Sequence, residues 1–368
     1  MYKVVVYAIS KNEEKFVNRW YQSMKEADAI YVLDTGSTDK TVELLSNLGV
    51  NVVQKKIVPW RFDVARNAAL DLVPEDTDIL ISTDLDEVLL PGWRKKLERI
   101  WQKGTTRLRY IYNWSLDEDG KPIVSFYAEK IHSRANFKWI HPVHEVLYNP
   151  FPEKYITTDE IVINHYPDSK KSRSSYLPLL ELSVKEEPLD DRNMHYLGRE
   201  YMYYGRNNEA IDTLIKHLSL PTATWKDERC ASMRFISRCY INLGRYEEAK
   251  MWLNKAIKEA PYLRDGYMEK ALLMYQLKDY KETEKLVKKA LKIKLNQHTY
   301  INEVFTFDHT AYDLLSIVEY EKKNYKKSLY YVKKALKISP KNSRLLNNYD
   351  IILMKVRDED ENRSRSVK

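Results

Sequence analysis

Ile79-Leu80-Ile81-Ser82-Thr83-Asp84-Leu85-Asp86-Glu87 is an apolar run that ends in two carboxylates one residue apart. Read as a buried strand, it emerges at the rim of a sheet. Strand residues two apart share a face, so Asp84 and Asp86 would project into one space. Carboxylates at the carboxyl end of a parallel strand suit a hard divalent cation carrying phosphate oxygens. An Asp-x-Asp triplet alone has a plain alternative, a solvated acidic turn. Its meaning therefore rests on what surrounds it.

Up to about residue 100 the chain alternates short apolar runs with amphipathic segments. Residues 4–9, 29–33, 52–57 and 78–82 read as strands, and 13–25, 41–48, 64–72 and 93–102 as helices. Such alternation calls for a parallel sheet covered on both faces, with ligands gathered at the carboxyl ends of its strands. Residues 106–114 and 123–131 then flank Asp117-Glu118-Asp119-Gly120-Lys121-Pro122, a hairpin turn. Residues 137–148 and 156–165 read as further extended segments.

From Asp191 onward the pattern is helical and repeats itself. Gly205-Arg-Asn-Asn-Glu-Ala210 returns as Gly244-Arg-Tyr-Glu-Glu-Ala249, Lys278-Asp-Tyr-Lys-Glu-Thr283 and Lys323-Asn-Tyr-Lys-Lys-Ser328. Tyr246 to Tyr280 and Ala256 to Ala290 are each 34 residues, and Tyr280 to Tyr325 is 45. Pro261 and Pro340 each stand five residues beyond a repeated alanine, Ala256 or Ala335. Small residues at set positions let antiparallel helices approach closely, and proline ends the second helix. The pattern resembles about four tetratricopeptide repeats. Such stacks bind extended partners or a second copy of the chain on a concave face; their plainer use is structural support.

A length of 368 residues exceeds what one core usually covers, so two domains are expected. The fold class is an α/β domain over 1–170, a linker or helix over 171–190, and an all-α solenoid over 191–355. The tail, 356–368, is charged and poor in apolar residues, and reads as disordered. Cys230 and Cys239 fall in a helical pattern and read as reduced packing residues of a cytoplasmic protein. The opening Met1-Tyr-Lys-Val reads as the approach to a strand rather than as a secretory signal, and no stretch of 18 apolar residues offers an integral membrane segment. The net charge of +8 is spread along helices and interleaved with Glu. It lacks the clustered basic patch with aromatics of a nucleic-acid binder, so no nucleic acid is expected as partner.

Chemistry-bearing residues collect at the strand ends of the first half. They are Asn12-Glu13-Glu14, Asp34-Thr-Gly-Ser-Thr-Asp-Lys-Thr41, Phe62-Asp-Val-Ala-Arg66-Asn67, Asp84-Leu-Asp86-Glu87 and His144-Glu145. No Gly-x-Gly-x-x-Gly follows the first strand, which argues against a nicotinamide site. The ordered set resembles inverting GT-A glycosyltransferases of family 2, a Rossmann-like nucleotide-diphospho-sugar transferase fold. It is similar in particular to the bacterial branch with a tetratricopeptide-like helical domain, which includes glycocin-type peptide glycosyltransferases.

The resemblance implies a UDP-sugar donor and a divalent metal, Mn²⁺ or Mg²⁺. Asp34 would accept from the imide of the base, with Ile9 and Glu13 lining the base and ribose pocket. Arg66 would lie against the nucleotide. Asp84 would hold the ribose or a metal-bound water, and Asp86 would ligate the metal bridging the diphosphate. His144 or His165 would complete the metal shell, since four of the eight histidines (His132, His141, His144, His165) gather there. Glu145 is the expected general base, with Asp117, Glu118 and Asp119 as rivals. A thiol acceptor, already partly ionised near neutral pH, would need that base less. Trp60, Trp114, Trp139 and Tyr148 are candidates for stacking on sugars or for core packing. The expected acceptor is a peptide or protein side chain selected by the repeats. A cell-envelope or lipid-linked glycan is the alternative within the class, and a non-catalytic repeat adaptor the alternative outside it.

Overall fold

The computed structural model describes residues 1–168, 175–294, 299 and 301–366, the last four by backbone alone. The chain divides into two compact units, the first covering Met1–Pro188 and the second beginning at Leu189. The first opens with strict alternation: β1 (Val4–Ser10), α1 (Glu14–Met24), β2 (Ala29–Asp34), α2 (Thr41–Asn47), β3 (Asn51–Gln54), α3 (Phe62–Leu70) and β4 (Ile79–Thr83). Strands β1, β2, β3 and β4 run parallel, with Ser10 opposite Asp34 and Ala8 opposite Thr83. Their carboxyl ends therefore share one rim.

The sheet is mixed rather than purely parallel. After β4 come β5 (Glu87–Leu89), α4 (Trp93–Ile100), the long hairpin β6 (Arg107–Leu116) and β7 (Pro122–Ser133), the ribbon β8 (Lys138–Ile140) and β9 (Val146–Tyr148), β10 (Tyr155–His165) and α5 (Tyr176–Glu186). The eight-stranded order is β3-β2-β1-β4-β7-β6-β10-β5, and β7 joins β4 antiparallel. A hairpin reverses direction at each turn, so its return strand cannot continue the parallel run.

Period-two burial sorts the β1 and β4 side chains between two layers. Val4, Val6, Ala8, Ile79 and Ile81 pack with Phe16, Trp20, Leu45, Trp93 and Leu97 of α1, α2 and α4. Val5, Tyr7 and Leu80 pack on the opposite side with Ala69 and Leu70 of α3 and with Trp139 and Leu147 of the ribbon. Burying each such side chain is worth roughly 1.5–3 kcal/mol, which makes this sheet a rigid platform for its rim.

The second unit is helical throughout: α6 (Asp191–Tyr203), α7 (Asn207–Ser219), α8 (Lys226–Asn242), α9 (Tyr246–Glu259), α10 (Arg264–Gln276), α11 (Tyr280–Lys292), α12 (Thr310–Glu321), α13 (Tyr325–Ile338) and α14 (Ser343–Ser366). The repeated hexapeptides are the turns inside four helix pairs. Their first residues, Gly205, Gly244, Lys278 and Lys323, all have φ between 61° and 73°, and their last, Ala210, Ala249, Thr283 and Ser328, are fully buried. A 3-10 turn at Val304–Thr306 lies in the longer connection between α11 and α12, where the hexapeptide spacing is greatest. Cys230 and Cys239 are free and buried in α8, where burial pushes both thiols up to about 12.

One expectation fails outright. The tail read as disordered is helical as far as Ser366, and residues 367–368 lie outside those described. Its charged run, Arg357 followed by the four acids at 358–361, is compatible with a solvated helix, and Asp360 pairs with Lys326 of α13 at 2.7 Å. Among the described residues, no helix is long and apolar enough to cross a membrane.

Candidate active site

At the rim, the motifs of the first two strand ends are hydrogen-bonded to one another. Asn12, at φ 56°, accepts from the Thr38 amide at 2.7 Å and donates its own amide to Ser37 Oγ at 2.8 Å. The Glu13 amide donates to Thr41 Oγ1 at 2.7 Å, and Glu14 accepts from the Lys40 amide at 3.0 Å. Thus the Asn-Glu-Glu loop and the Asp34–Thr41 loop form one piece. Ile9 is half-buried against the α3 side of the core, and the Glu13 side chain is buried.

Asp34 belongs to this scaffold. It is fully buried, and its oxygens accept from Ser10 Oγ at 3.0 Å, from the Gly36 and Ser37 amides at 3.1 and 2.9 Å, and from Ser37 Oγ. The resemblance assigns this carboxylate a base contact, but the turn uses both of its oxygens. Gly36 makes the turn possible, because φ there is 112°.

The Asp84–Asp86 segment differs from its reading as a strand. β4 stops at Thr83, whose Oγ1 takes a hydrogen bond from Trp20 Nε1 at 3.0 Å, and Asp84 closes a turn by accepting the Glu87 amide at 3.0 Å. The two carboxylates consequently take different partners. Asp84 receives Arg66 Nη2 at 2.9 Å and Lys130 Nζ at 3.3 Å. Asp86 stands beside His165, with Nε2 3.5 Å from Oδ2.

A line of alternating charge runs through Asp84. Glu145 accepts Arg66 Nε; Arg66 and Lys130 flank Asp84; Lys130 reaches buried Glu87 at 2.7 Å. Burial pushes the Asp84 carboxyl up, but the two cations outweigh it and hold it well below the usual carboxylate range. Burial dominates at Glu87 and raises it, although Lys130 opposes the shift. Arg66 lies over the Trp139 ring at 5.1 Å, and its Nη1 is buried with no hydrogen-bond partner among the described residues. Asn67, next in the Ala-Arg-Asn motif, pins the ribbon by exchanging two 2.8 Å bonds with the Trp139 backbone.

His165 reaches Asp86 through pairing that is remote in sequence. β5 and β10 run antiparallel with His165 opposite Glu87, and the Tyr166 amide bonds to the Asp86 carbonyl at 2.8 Å. His165 Nδ1 lies 3.0 Å from the Trp114 carbonyl, an acceptor, so Nδ1 carries a proton and Nε2 is the nitrogen that faces Asp86, as a lone pair in the neutral ring and as a donor in the protonated one. Burial lowers the imidazole pKa, but the Asp86 carboxylate and the Trp114 carbonyl outweigh it and raise the group above its ordinary value. A carboxylate beside an imidazole oriented through a backbone carbonyl is a donor set that fits a divalent transition ion.

The other candidates sort themselves around this centre. His144, at φ 51°, sets its ring edge-on to Tyr176 at 5.7 Å; among the described residues, the imidazole beside Asp86 is that of His165. His132 is a core group that meets Tyr7 OH at 3.0 Å, and burial lowers it to about 3. Asp117 ties its own hairpin turn, accepting from the amides of Asp119 and Lys121. Trp139 is buried, whereas Trp114 is half-exposed and stacks on His165 at 4.6 Å. Sequence reasoning misses Lys130, which carries no local signature, and gives Glu87 no role of its own beyond its place in the Asp-x-Asp-Glu motif. A cavity of about 300 Å³ between Arg61, Asn67, Trp139 and Glu186 is lined by Trp139 but by none of the residues expected to hold the nucleotide or the metal.

Comparison with known proteins now bears on this geometry. Residues 5–146 match the family model for Glycosyl transferase family 2. The chain carries a family 2 glycosyltransferase domain. Residues 235–262 match a Tetratricopeptide repeat model, within α8 and α9. The SPbeta prophage-derived glycosyltransferase SunS of Bacillus subtilis (strain 168) is 24% identical over 297 residues, covering 75% of this chain and 67% of that protein. An uncharacterized glycosyltransferase of Rickettsia bellii is 33% identical over 100 residues, 27% of this chain and 33% of that protein. Among solved structures, a thermophilic tetratricopeptide protein of Thermus thermophilus is 20% identical with a TM-score of 0.37, covering 49% of this chain and 90% of that one. The glycosyltransferase domain thus places its Asp-x-Asp turn, His165 and Arg66 at the carboxyl rim of a GT-A-like sheet.

Proposed function

We propose that this glycosyltransferase is metal-dependent and inverting, and moves a sugar from a UDP donor to a peptide or protein side chain. The Asp86–His165 pair carries the reading. Those two residues would hold Mn²⁺ or Mg²⁺, and the bound ion would supply charge neutralisation to the departing diphosphate. Arg66 and Lys130 place two cations beside Asp84, and the buried Nη1 of Arg66 is a donor in search of an acceptor, as a phosphate oxygen would be. Trp114 offers an exposed aromatic face on the far side of His165 for a sugar ring.

Glu145 remains the proposed proton acceptor, through the carboxylate oxygen that Arg66 leaves unused. Arg66 positions it. The acceptor class rests on the resemblance of the sequence motifs and repeats to glycocin-type peptide glycosyltransferases; the likeness to SunS, a glycosyltransferase, covers 75% of this chain, more than the first unit alone, and so extends into the helices. The full chain, incubated with Mn²⁺, a panel of UDP-sugars and a library of peptides, should yield peptides heavier by one sugar on mass spectrometry. Sugar transfer to lipid-linked glycans with no peptide modified would contradict the acceptor assignment.

A further inference from the structure

Three helix ends meet in the second unit around an imidazole that the glycosyltransferase reading does not use. His217 lies near the end of α7, Asp191 opens α6 and Glu228 lies in the first turn of α8. One ligand atom from each of these three residues lies within 4.8 Å of the other two. His217 is fully buried, Glu228 is 3% exposed, and Asp191 is half-buried. The plain explanation for the acids is favourable charge at helix N-termini. That explanation works as well at the surface and does not require a buried carboxylate against a buried imidazole.

The imidazole is oriented from behind. His217 Nδ1 lies 2.9 Å from Ser232 Oγ, and His195 Nδ1 lies 2.7 Å from the same oxygen. His217 Nε2 is buried, makes no hydrogen bond among the described residues, and stands 3.4 Å from Glu228 Oε1. Neighbouring Arg229 is directed elsewhere, to Glu259 at 2.7 Å and to the carbonyls of Leu218 and Ala223. The hydroxyl between the two rings can donate to either Nδ1. In the arrangement that a bound ion would select, His217 donates from Nδ1 to Ser232 Oγ, Ser232 donates to His195 Nδ1, and His217 Nε2 presents its lone pair beside the two carboxylates. Burial holds the His195 pKa well below the ordinary value, which favours the neutral ring this arrangement needs.

We propose that Asp191, His217 and Glu228 form a divalent metal site, selective for Zn²⁺, that clasps the first three helices of the repeat stack. One imidazole nitrogen and two carboxylate oxygens suit a borderline transition ion better than Ca²⁺ or Mg²⁺, which favour oxygen ligands alone. Half-buried Asp191 leaves solvent access for a water as fourth ligand. Ser232 is the outer-shell partner that sets the ring. The role is structural: metal held across three helix ends resists their separation.

The test uses the full chain carrying Asp86→Asn, which removes the Asp86–His165 pair, stripped with EDTA and titrated calorimetrically with ZnSO₄. One Zn²⁺ should bind, with a higher Tm, and Mg²⁺ should not compete. Adding Glu228→Gln or Asp191→Asn, which preserve shape, should weaken binding at least about tenfold, and Ser232→Ala by about 10–100-fold. Co²⁺ in place of Zn²⁺ should give the visible absorption of a low-coordinate ion, lost in Glu228→Gln. Absence of Zn²⁺ binding in the Asp86→Asn chain, or equal binding in all variants with unchanged circular dichroism, would overturn the site.

Discussion

The ends of β2 and β4 lie on the same rim of one sheet, and each carries an acid, yet the two ends are finished in opposite ways. Asp34 is fully buried and holds its own turn through four hydrogen bonds. Asp86 faces an imidazole across 3.5 Å, and its neighbour Asp84 sits between two cations with 33% of its side chain exposed. Carboxylates at equivalent strand ends thus divide the work. One acid builds its own loop, and the other pair faces two cations and an imidazole, the charges that the proposed function uses.

The largest expected effect on stability breaks the β2 end. Asp34→Ala strands two backbone amides and two hydroxyls in a buried turn, and should lower stability by about 4 kcal/mol, since each unsatisfied group costs about 1–3 kcal/mol less what water recovers. Urea unfolding checks it, and a change below about 1 kcal/mol would show that Asp34 does not hold the turn.

Acid probes the β4 side instead. His132, on β7 opposite Leu80 of β4, titrates near 3 when folded and at the ordinary 6.5 when the chain is unfolded. The unfolded chain therefore binds the extra proton between those values, and stability falls as pH drops through that window. Between pH 7 and pH 5 this one group should remove about 2 kcal/mol, measured as a lower urea midpoint. Replacing His132 with Gln should flatten that slope; an unchanged slope would assign the acid sensitivity to other groups.

Much of this contrast is legible in the sequence, and the reasons are local. Alternating apolar runs locate β1 through β4 and their helices because each element shows its own period. Hexapeptide echoes find the helix-pair turns because Gly205 and Gly244 meet a positive φ there, and Ala210 and Ala249 a tight helix contact. What local pattern cannot supply is pairing across distance. The choice of His165 over His144 depends on β10 meeting β5, a three-residue strand too short to show a period. Lys130 looks like an ordinary strand residue until β7 inserts beside β4 and brings it to Asp84 and Glu87. Asp84 and Asp86 stand out in the sequence as strand residues sharing a face, whereas in the fold a turn separates them and gives them distinct partners.

The division of labour between the two strand ends is tested most directly by Asp86→Asn, a change of charge at constant volume. UDP-sugar turnover with Mn²⁺ should fall about 10³-fold, or about 4 kcal/mol in transition-state stabilisation, while the urea midpoint stays within error of the parent. EDTA should abolish turnover in the parent and have nothing left to remove in the variant. Parent-like turnover in Asp86→Asn, or turnover in the parent that EDTA does not touch, would contradict a metal-holding role for the β4 end.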